Sequence, residues 1–95
     1  MKTFQELNIG DSVFYLDESD DQMDEVVVTG DYTDSSNTIE VAYCDGEKVE
    51  LFVDGDESET YYDNYRWFAD KEAMFDYLQS QIDRYTYLMK ALALH

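Results

Sequence analysis

The sequence holds few of the side chains that carry acid–base or nucleophilic catalysis. His95 is the only histidine and stands at the end of the 95 residues, where chains usually fray. A Ser-His-Asp or Cys-His site would therefore lack its base. Cys44 is the only cysteine; it excludes an internal disulfide, and we expect an inert, half-buried thiol at the end of a strand. We accordingly predict no catalytic residues and a protein that is not an enzyme.

Carboxylates are the abundant ligand type, with 23 Asp and Glu, so a calcium loop is the metal site to test first. An EF-hand loop needs Gly at its sixth position and Glu at its twelfth. Counted from Asp54, these positions hold Glu59 and Tyr65, and a frame counted from Asp17 fails at both as well. One cysteine and one terminal histidine are too few for zinc. We expect no metal and no cofactor, while loose cation binding by clustered carboxylates stays open.

The acidic charge is concentrated in the first two thirds of the chain. The net charge is −17; residues 17–34 carry −8, residues 54–63 carry −5, and residues 64–95 balance to zero. Such a surface repels nucleic-acid phosphates and anionic lipids and attracts basic proteins. A halophilic protein would be expected to spread acid over every exposed face. The polarity therefore predicts an acidic surface that binds a basic protein surface.

Two acidic segments and two tyrosines make up the predicted partner-binding site. Tyrosines beside acids suit an interface, because Tyr is a favoured contact residue. The site requires residues 17–25 and 54–63 to be neighbours, and the alternative is a pair of solvated loops. Its members are Asp17, Glu18, Asp20, Asp21, Asp24 and Glu25, then Asp54, Asp56, Glu57, Glu59 and Asp63, with Tyr61 and Tyr62 expected to be exposed. We expect the rings of Trp67 and Phe68 to fill the core instead.

Apolar and β-branched runs predict strands in the acidic part of the chain. Four strands are expected at residues 12–16, 26–29, 38–44 and 48–53, with a short fifth at 65–68. Asp45-Gly46, between the third and fourth, is a strong hairpin signal. We predict a single domain over residues 1–95, with a β-rich acidic part at 1–68. The fold class is α+β, a small curled antiparallel sheet of four to five strands, SH3-like in size, followed by one long helix.

The C-terminal segment predicts an amphipathic helix over residues 70–93. Asp70 is a plausible N-cap, and apolar residues then recur at spacings of three and four. The helix would be roughly 30 Å long, whereas a strand spans about 17–20 Å. We therefore predict that its end projects and forms a homodimer interface; folding back onto its own sheet is the alternative. The interface residues are Tyr85, Leu88, Met89 and Leu92.

Two short stretches resemble known families. Phe4-x-x-Leu7-x-Ile9-Gly10-Asp11-x-Val13-x-Tyr15 resembles the start of many small SH3-like barrels. Phe68-x-Asp70-Lys71-Glu72-Ala73 resembles the start of the closing helix in small phage and mobile-element proteins. In composition the chain is similar to phage anti-restriction and other DNA-mimic proteins, which are small, very acidic and often dimeric. The resemblance implies a fold and a phage-like origin, with no catalytic residues to transfer.

Charge and size together predict a DNA-mimic-type inhibitor that occupies the basic groove of a nucleic-acid-binding or restriction/defence protein. A domain of this length is roughly 30 Å across, and duplex DNA of that length carries about 18 phosphates. The net charge of −17 is comparable. The alternative is a structural or adaptor module, of phage or bacterial origin, with no nucleic-acid-related target. We expect no direct nucleic-acid binding, no membrane span and a cytoplasmic location.

Overall fold

A computed structural model describes residues 1–94 and consists of one antiparallel sheet and one long helix. After a short 3-10 helix at Phe4–Glu6, the strands are β1 (Ser12–Asp17), β2 (Gln22–Val28), β3 (Thr38–Ala42), β4 (Lys48–Phe52), β5 (Glu59–Tyr62) and β6 (Tyr65–Phe68), and the helix is α1 (Lys71–Ala93). The strand order is β4-β3-β2-β1-β6-β5. The predicted α+β class and antiparallel sheet are confirmed.

The sheet is curled into a half-barrel, so its two edge strands approach each other. The rings of Phe52 on β4 and Tyr62 on β5 lie 5.8 Å apart between centroids. There are six strands rather than four or five, because β5 lies inside a segment that its acids marked as a loop. β5 and β6 are joined by Asp63 and Asn64, both with positive φ (54° and 69°), the backbone of the tightest hairpin turns.

The β1–β2 hairpin differs from its predicted boundaries, whereas the β3–β4 hairpin agrees with them. β2 begins at Gln22 instead of residue 26, so Asp24 and Glu25 lie in a strand and not in a loop. Its first residues pair with β1 but extend beyond the pairing with β3. The hairpin predicted at Asp45-Gly46 is confirmed, with Gly46 at φ 91°. Cys44, in that turn, is exposed rather than half-buried.

The core lies on the concave face of the sheet. Alternate residues of each strand point inward, among them Val13, Val41 and Leu51. Trp67 is 1% exposed at the centre, and Phe4 and Leu7 of the N-terminal segment cover one end of the core. The expected burial of Trp67 is confirmed. That of Phe68 is confirmed as well, although its ring lies on the outer face, beneath the helix.

In the described part of the chain, the helix packs on the sheet through its first two turns. The carboxylate of Asp70 caps it, accepting the backbone N–H of Ala73 at 2.9 Å. Ala73, Met74 and Tyr77 then pack on the outer face of β1 and β6. Because the rest projects, the molecule measures 52 × 27 × 19 Å. The predicted helix and its projecting end are confirmed, and folding back is wrong.

The projecting end carries the four residues predicted to form a dimer. Leu92 is exposed. The side chains of Tyr85, Leu88 and Met89, like His95, lie outside the described residues. The dimer itself stays a prediction. Within residues 1–94, no helix has both the length and the apolar composition needed to cross a membrane.

Candidate functional site

The two acidic segments meet at one end of the sheet, but only in part. Since Leu16 pairs with Arg66, the turn after β1 and the β5–β6 turn lie at the same end. This brings residues 17–21 close to Asp63. The other part of the second segment lies at the opposite end, where the backbone N–H of Phe4 donates to the carbonyl of Glu57 at 2.9 Å. Asp54, Asp56 and Glu57 are therefore not part of a common site with residues 17–25.

A cluster of four aromatic rings closes the core at the end where the acids meet. We call this region, formed by Tyr15, Tyr43, Tyr65 and Trp67, the tyrosine end. The ring centroid of Tyr15 lies 5.0 Å from Trp67, 5.1 Å from Tyr65 and 5.8 Å from Tyr43. The rings face inward because they continue the alternation that buries Val13 on β1. Trp67 is buried, while the three tyrosines are half-buried and reach the surface.

Carboxylates surround the tyrosine end. Asp24 on β2 stands opposite Tyr15 in the strand register. Burial, then the nearby charge of Asp24, raises the pKa of the Tyr15 hydroxyl. Burial also raises the pKa of Tyr43, with Asp63 among the charges that add to it. Tyr15 and Tyr43 therefore remain neutral at physiological pH in a negative potential.

Two depressions open between these rings and acids. The smaller has a volume of about 130 Å³ and is lined by Tyr15, Asp17, Gln22, Met23, Asp24 and Tyr65. Ligand pockets for small molecules measure about 300–1,000 Å³, so this one suits a single side chain. The wider one, about 470 Å³, shares Asp17 and Tyr65 with it and extends to Tyr61. Ring faces beside carboxylates are the combination that attracts an ammonium or guanidinium group.

In the described part of the chain, no base lines either depression of the tyrosine end. Lys2 pairs with Asp11 at 3.4 Å and Lys48 with Glu40 at 3.7 Å. Arg66 lies on the outer face of the sheet, and the other three bases belong to α1. The carboxylates at the tyrosine end therefore have no neutralising partner there, and their negative potential faces solvent.

Arg66 neutralises two acids of the predicted site. Its Nε lies 3.1 Å from Glu18 and its Nη1 lies 3.2 Å from Glu59, so it joins the two acidic segments. The guanidinium stands 4.4 Å above the ring of Tyr77, whose hydroxyl donates to Glu18 at 2.6 Å. This hydrogen bond, followed by the contact with Arg66, lowers the pKa of Glu18. Glu18 and Glu59 serve the fold, and the sequence missed this because Arg66 was counted with the balanced C-terminal third.

The remaining predicted residues divide between surface and core. Asp20 and Asp21 are exposed in the β1–β2 turn, and Glu25 is exposed on the outer face of the sheet. Tyr61 is 61% exposed, as predicted. Tyr62 is instead half-buried, and its carbonyl accepts the indole N–H of Trp67 at 2.9 Å.

Sequence reasoning missed the three tyrosines that line the site. Alternation along β1 places Tyr15 on the same face as Val13, and the same argument places Tyr65 with Trp67 on β6. Within residues 1–94, no three His, Cys, Asp or Glu side chains gather closely enough to hold a metal ion. No protein-family model, curated protein or solved structure matches the chain. The function is therefore inferred from the geometry and charge of the tyrosine end.

Proposed function

We propose that this protein is a non-enzymatic acidic binding protein whose tyrosine end receives Lys and Arg side chains of a basic partner. The observation that supports this is the pocket lined by Tyr15 and Tyr65 beside Asp17 and Asp24, which no base among the described residues lines. The aliphatic stem of a Lys or Arg would lie against the tyrosine rings. Its charged head would meet the two carboxylates, forming charge-assisted hydrogen bonds.

The most concrete partner is the basic groove of a nucleic-acid-binding or restriction/defence protein, which the acidic surface would occupy in place of DNA. Of the 23 acids, five form ion pairs among the described residues, which leaves eighteen. Duplex DNA carries that number of charges in roughly 30 Å. The thickness of the molecule, 19 to 27 Å, is of the same order. A cytoplasmic location, a phage-like origin and an SH3-like fold of the sheet belong to the same proposal.

A second candidate function is a structural or adaptor module without a nucleic-acid-related target. The observation that favours it is the apolar surface along α1, where Phe75 is 68% and Leu92 74% exposed. An adaptor would bind its partner mainly through such apolar contacts, which salt does not weaken. The two candidates therefore differ in the salt dependence of binding and in the surface that carries it.

Capture of partners from a bacterial lysate separates the two candidates. The immobilised protein is washed at low salt and then at high salt, and the eluted proteins are identified by mass spectrometry. For a DNA mimic we expect a protein with a basic groove that elutes with salt and whose DNA binding the chain inhibits. A partner that resists salt, or whose DNA binding is unaffected, contradicts the mimic and favours the adaptor.

A charge-matched pair of variants tests whether the tyrosine end is the binding surface. The first variant replaces three carboxylates at this end by amides: Asp17→Asn, Asp24→Asn and Asp63→Asn. The control removes the same charge from exposed positions elsewhere: Asp31→Asn, Asp34→Asn and Glu50→Gln. We expect the first variant to weaken binding of the captured protein at least about tenfold more than the control, which corresponds to roughly 1.4 kcal/mol. Equal losses would show that only net charge matters.

Tryptophan fluorescence tests whether a basic side chain contacts the tyrosine rings. Trp67 is the only tryptophan and packs against Tyr15, one wall of the pocket. A basic side chain entering the pocket should therefore change the tryptophan fluorescence. A Lys-rich peptide is the probe, titrated at low salt into the wild-type protein and into both triple variants. We expect a saturable change in the wild type and in the control, and none in the Asp17/Asp24/Asp63 variant.

A further inference from the structure

An apolar groove runs along the outer face of the sheet beside α1. We call it the helix groove and define it by Phe14, Met23, Met74, Phe75 and Leu78, which line a cavity of about 180 Å³ together with Lys71. Met23 is 59% exposed, although it lies in a strand. A second depression of about 420 Å³ continues the groove along the helix, sharing Met23, Met74 and Leu78 and ending at the carboxylates of Glu18 and Asp21. Because Arg66 pairs with Glu18, Asp21 supplies the acidic end of this otherwise apolar groove.

The projecting part of α1 is apolar and basic, in contrast to the acidic remainder of the chain. Its fifteen residues after Leu78, 79–93, measure about 22 Å as a helix. We call residues 84–94, the end of this projecting part, the C-terminal arm; it contains Arg84 and Lys90 but no acid and carries +2, while residues 1–83 carry −19. Leu92 on the arm is 74% exposed. Because most helical stability in proteins comes from packing of an apolar face, a surface that covers the arm would stabilise it.

From these two complementary features we propose that the helix groove of each chain receives the C-terminal arm of a second copy, giving a two-fold symmetric dimer. The arm is the one strongly cationic, apolar segment, and the groove is apolar with an acidic end. Two bodies of this net charge repel each other, whereas contact of an arm with a body is attractive. The contact is reciprocal, since each copy supplies one arm and one groove.

Each arm must lie beside the first half of the partner's helix, so the two-fold axis crosses the helices, which run antiparallel and meet near Ile82, the midpoint of Lys71–Ala93. Ile82 is exposed on the single chain. This arrangement aligns the helix dipoles in opposite directions, which is favourable. The groove shares Met23 with the smaller depression at the tyrosine end, but Tyr15, Tyr65, Asp17 and Asp24 do not line it, so the two proposals can be tested with different variants.

The oligomeric state of the full chain in solution tests the dimer. Sedimentation equilibrium is expected to give twice the 11.2 kDa of the chain. Between about 0.05 and 0.5 M salt the dimer should persist or tighten, because salt screens the repulsion between the two bodies. Binding to a basic partner should weaken over the same range. A chain that is monomeric at every concentration overturns the proposal. It does so even if another protein is found to occupy the groove.

Single substitutions identify the surfaces that meet. Phe75→Glu changes the groove and Leu92→Glu changes the arm, and both residues are exposed on the single chain, so the fold should be retained. Each is expected to give a monomer. Ile9→Glu, which adds the same charge at an exposed apolar residue outside the groove, should leave the dimer intact. A dimer that survives both Phe75→Glu and Leu92→Glu overturns the assignment.

Discussion

Replacing Arg66 tests whether the link between the two acidic segments holds the domain together. Arg66→Ala removes ion pairs of 3.1 and 3.2 Å to Glu18 and Glu59 and a guanidinium 4.4 Å above the ring of Tyr77. The carboxylates are half-exposed, so each pair contributes about 0.5–1 kcal/mol. The ring contact adds about 0.5–1 kcal/mol. We therefore expect Arg66→Ala to lower the free energy of unfolding by roughly 1.5–3 kcal/mol.

Two further variants separate charge from geometry. Arg66→Lys keeps the charge but cannot hold two carboxylates and a ring with one planar fork, so about half of the loss should remain. Lys48→Ala is the matched control, since it removes the same charge from an exposed pair at 3.7 Å with Glu40. Its cost should stay within about 0.5 kcal/mol. Urea unfolding followed by Trp67 fluorescence measures all three. If Arg66→Ala costs no more than Lys48→Ala, the inferred link does not stabilise the fold.

Two other predictions concern the same end of the sheet. Contacts with Tyr77 and Arg66 lower the pKa of Glu18 in the folded protein. The stabilisation that ionised Glu18 provides is therefore complete above its ordinary pKa of 4.5 and is lost as the pH falls through the lowered pKa. In urea titrations, the difference in free energy of unfolding between wild type and Glu18→Gln should therefore disappear only at acid pH. Asp20→Asn is the control for the loss of one charge. A difference that stays constant with pH contradicts this prediction. Asn64 has φ 69°, so Asn64→Val should cost roughly 1–2 kcal/mol whereas Asn64→Gly stays near neutral. Equal urea midpoints for these two would argue against the two-residue turn.

Local patterns were sufficient to predict most of the secondary structure. Apolar periodicity and the cap at Asp70 predicted α1 closely, because both act within a few residues of the chain. The Asp45-Gly46 turn was predicted for the same reason. β5 was missed because Glu59 and Asp63 made its segment resemble a solvated loop. The alternation at Tyr61 and Tyr62 becomes informative only once β6 is known to pair beside it.

The sequence by itself determined that the protein is small, very acidic, poor in catalytic groups and built from a β-rich part followed by one long helix. Charge, composition and short-range spacing carry this information, since none of it depends on which strands pair. Only the tertiary structure decided which acids share a surface. Pairing of β1 with β6 brought Asp63 to the turn after β1, left Asp54 and Asp56 at the opposite end and placed Arg66 between Glu18 and Glu59. These are contacts between residues distant in sequence, and strand register, which local patterns do not encode, sets them.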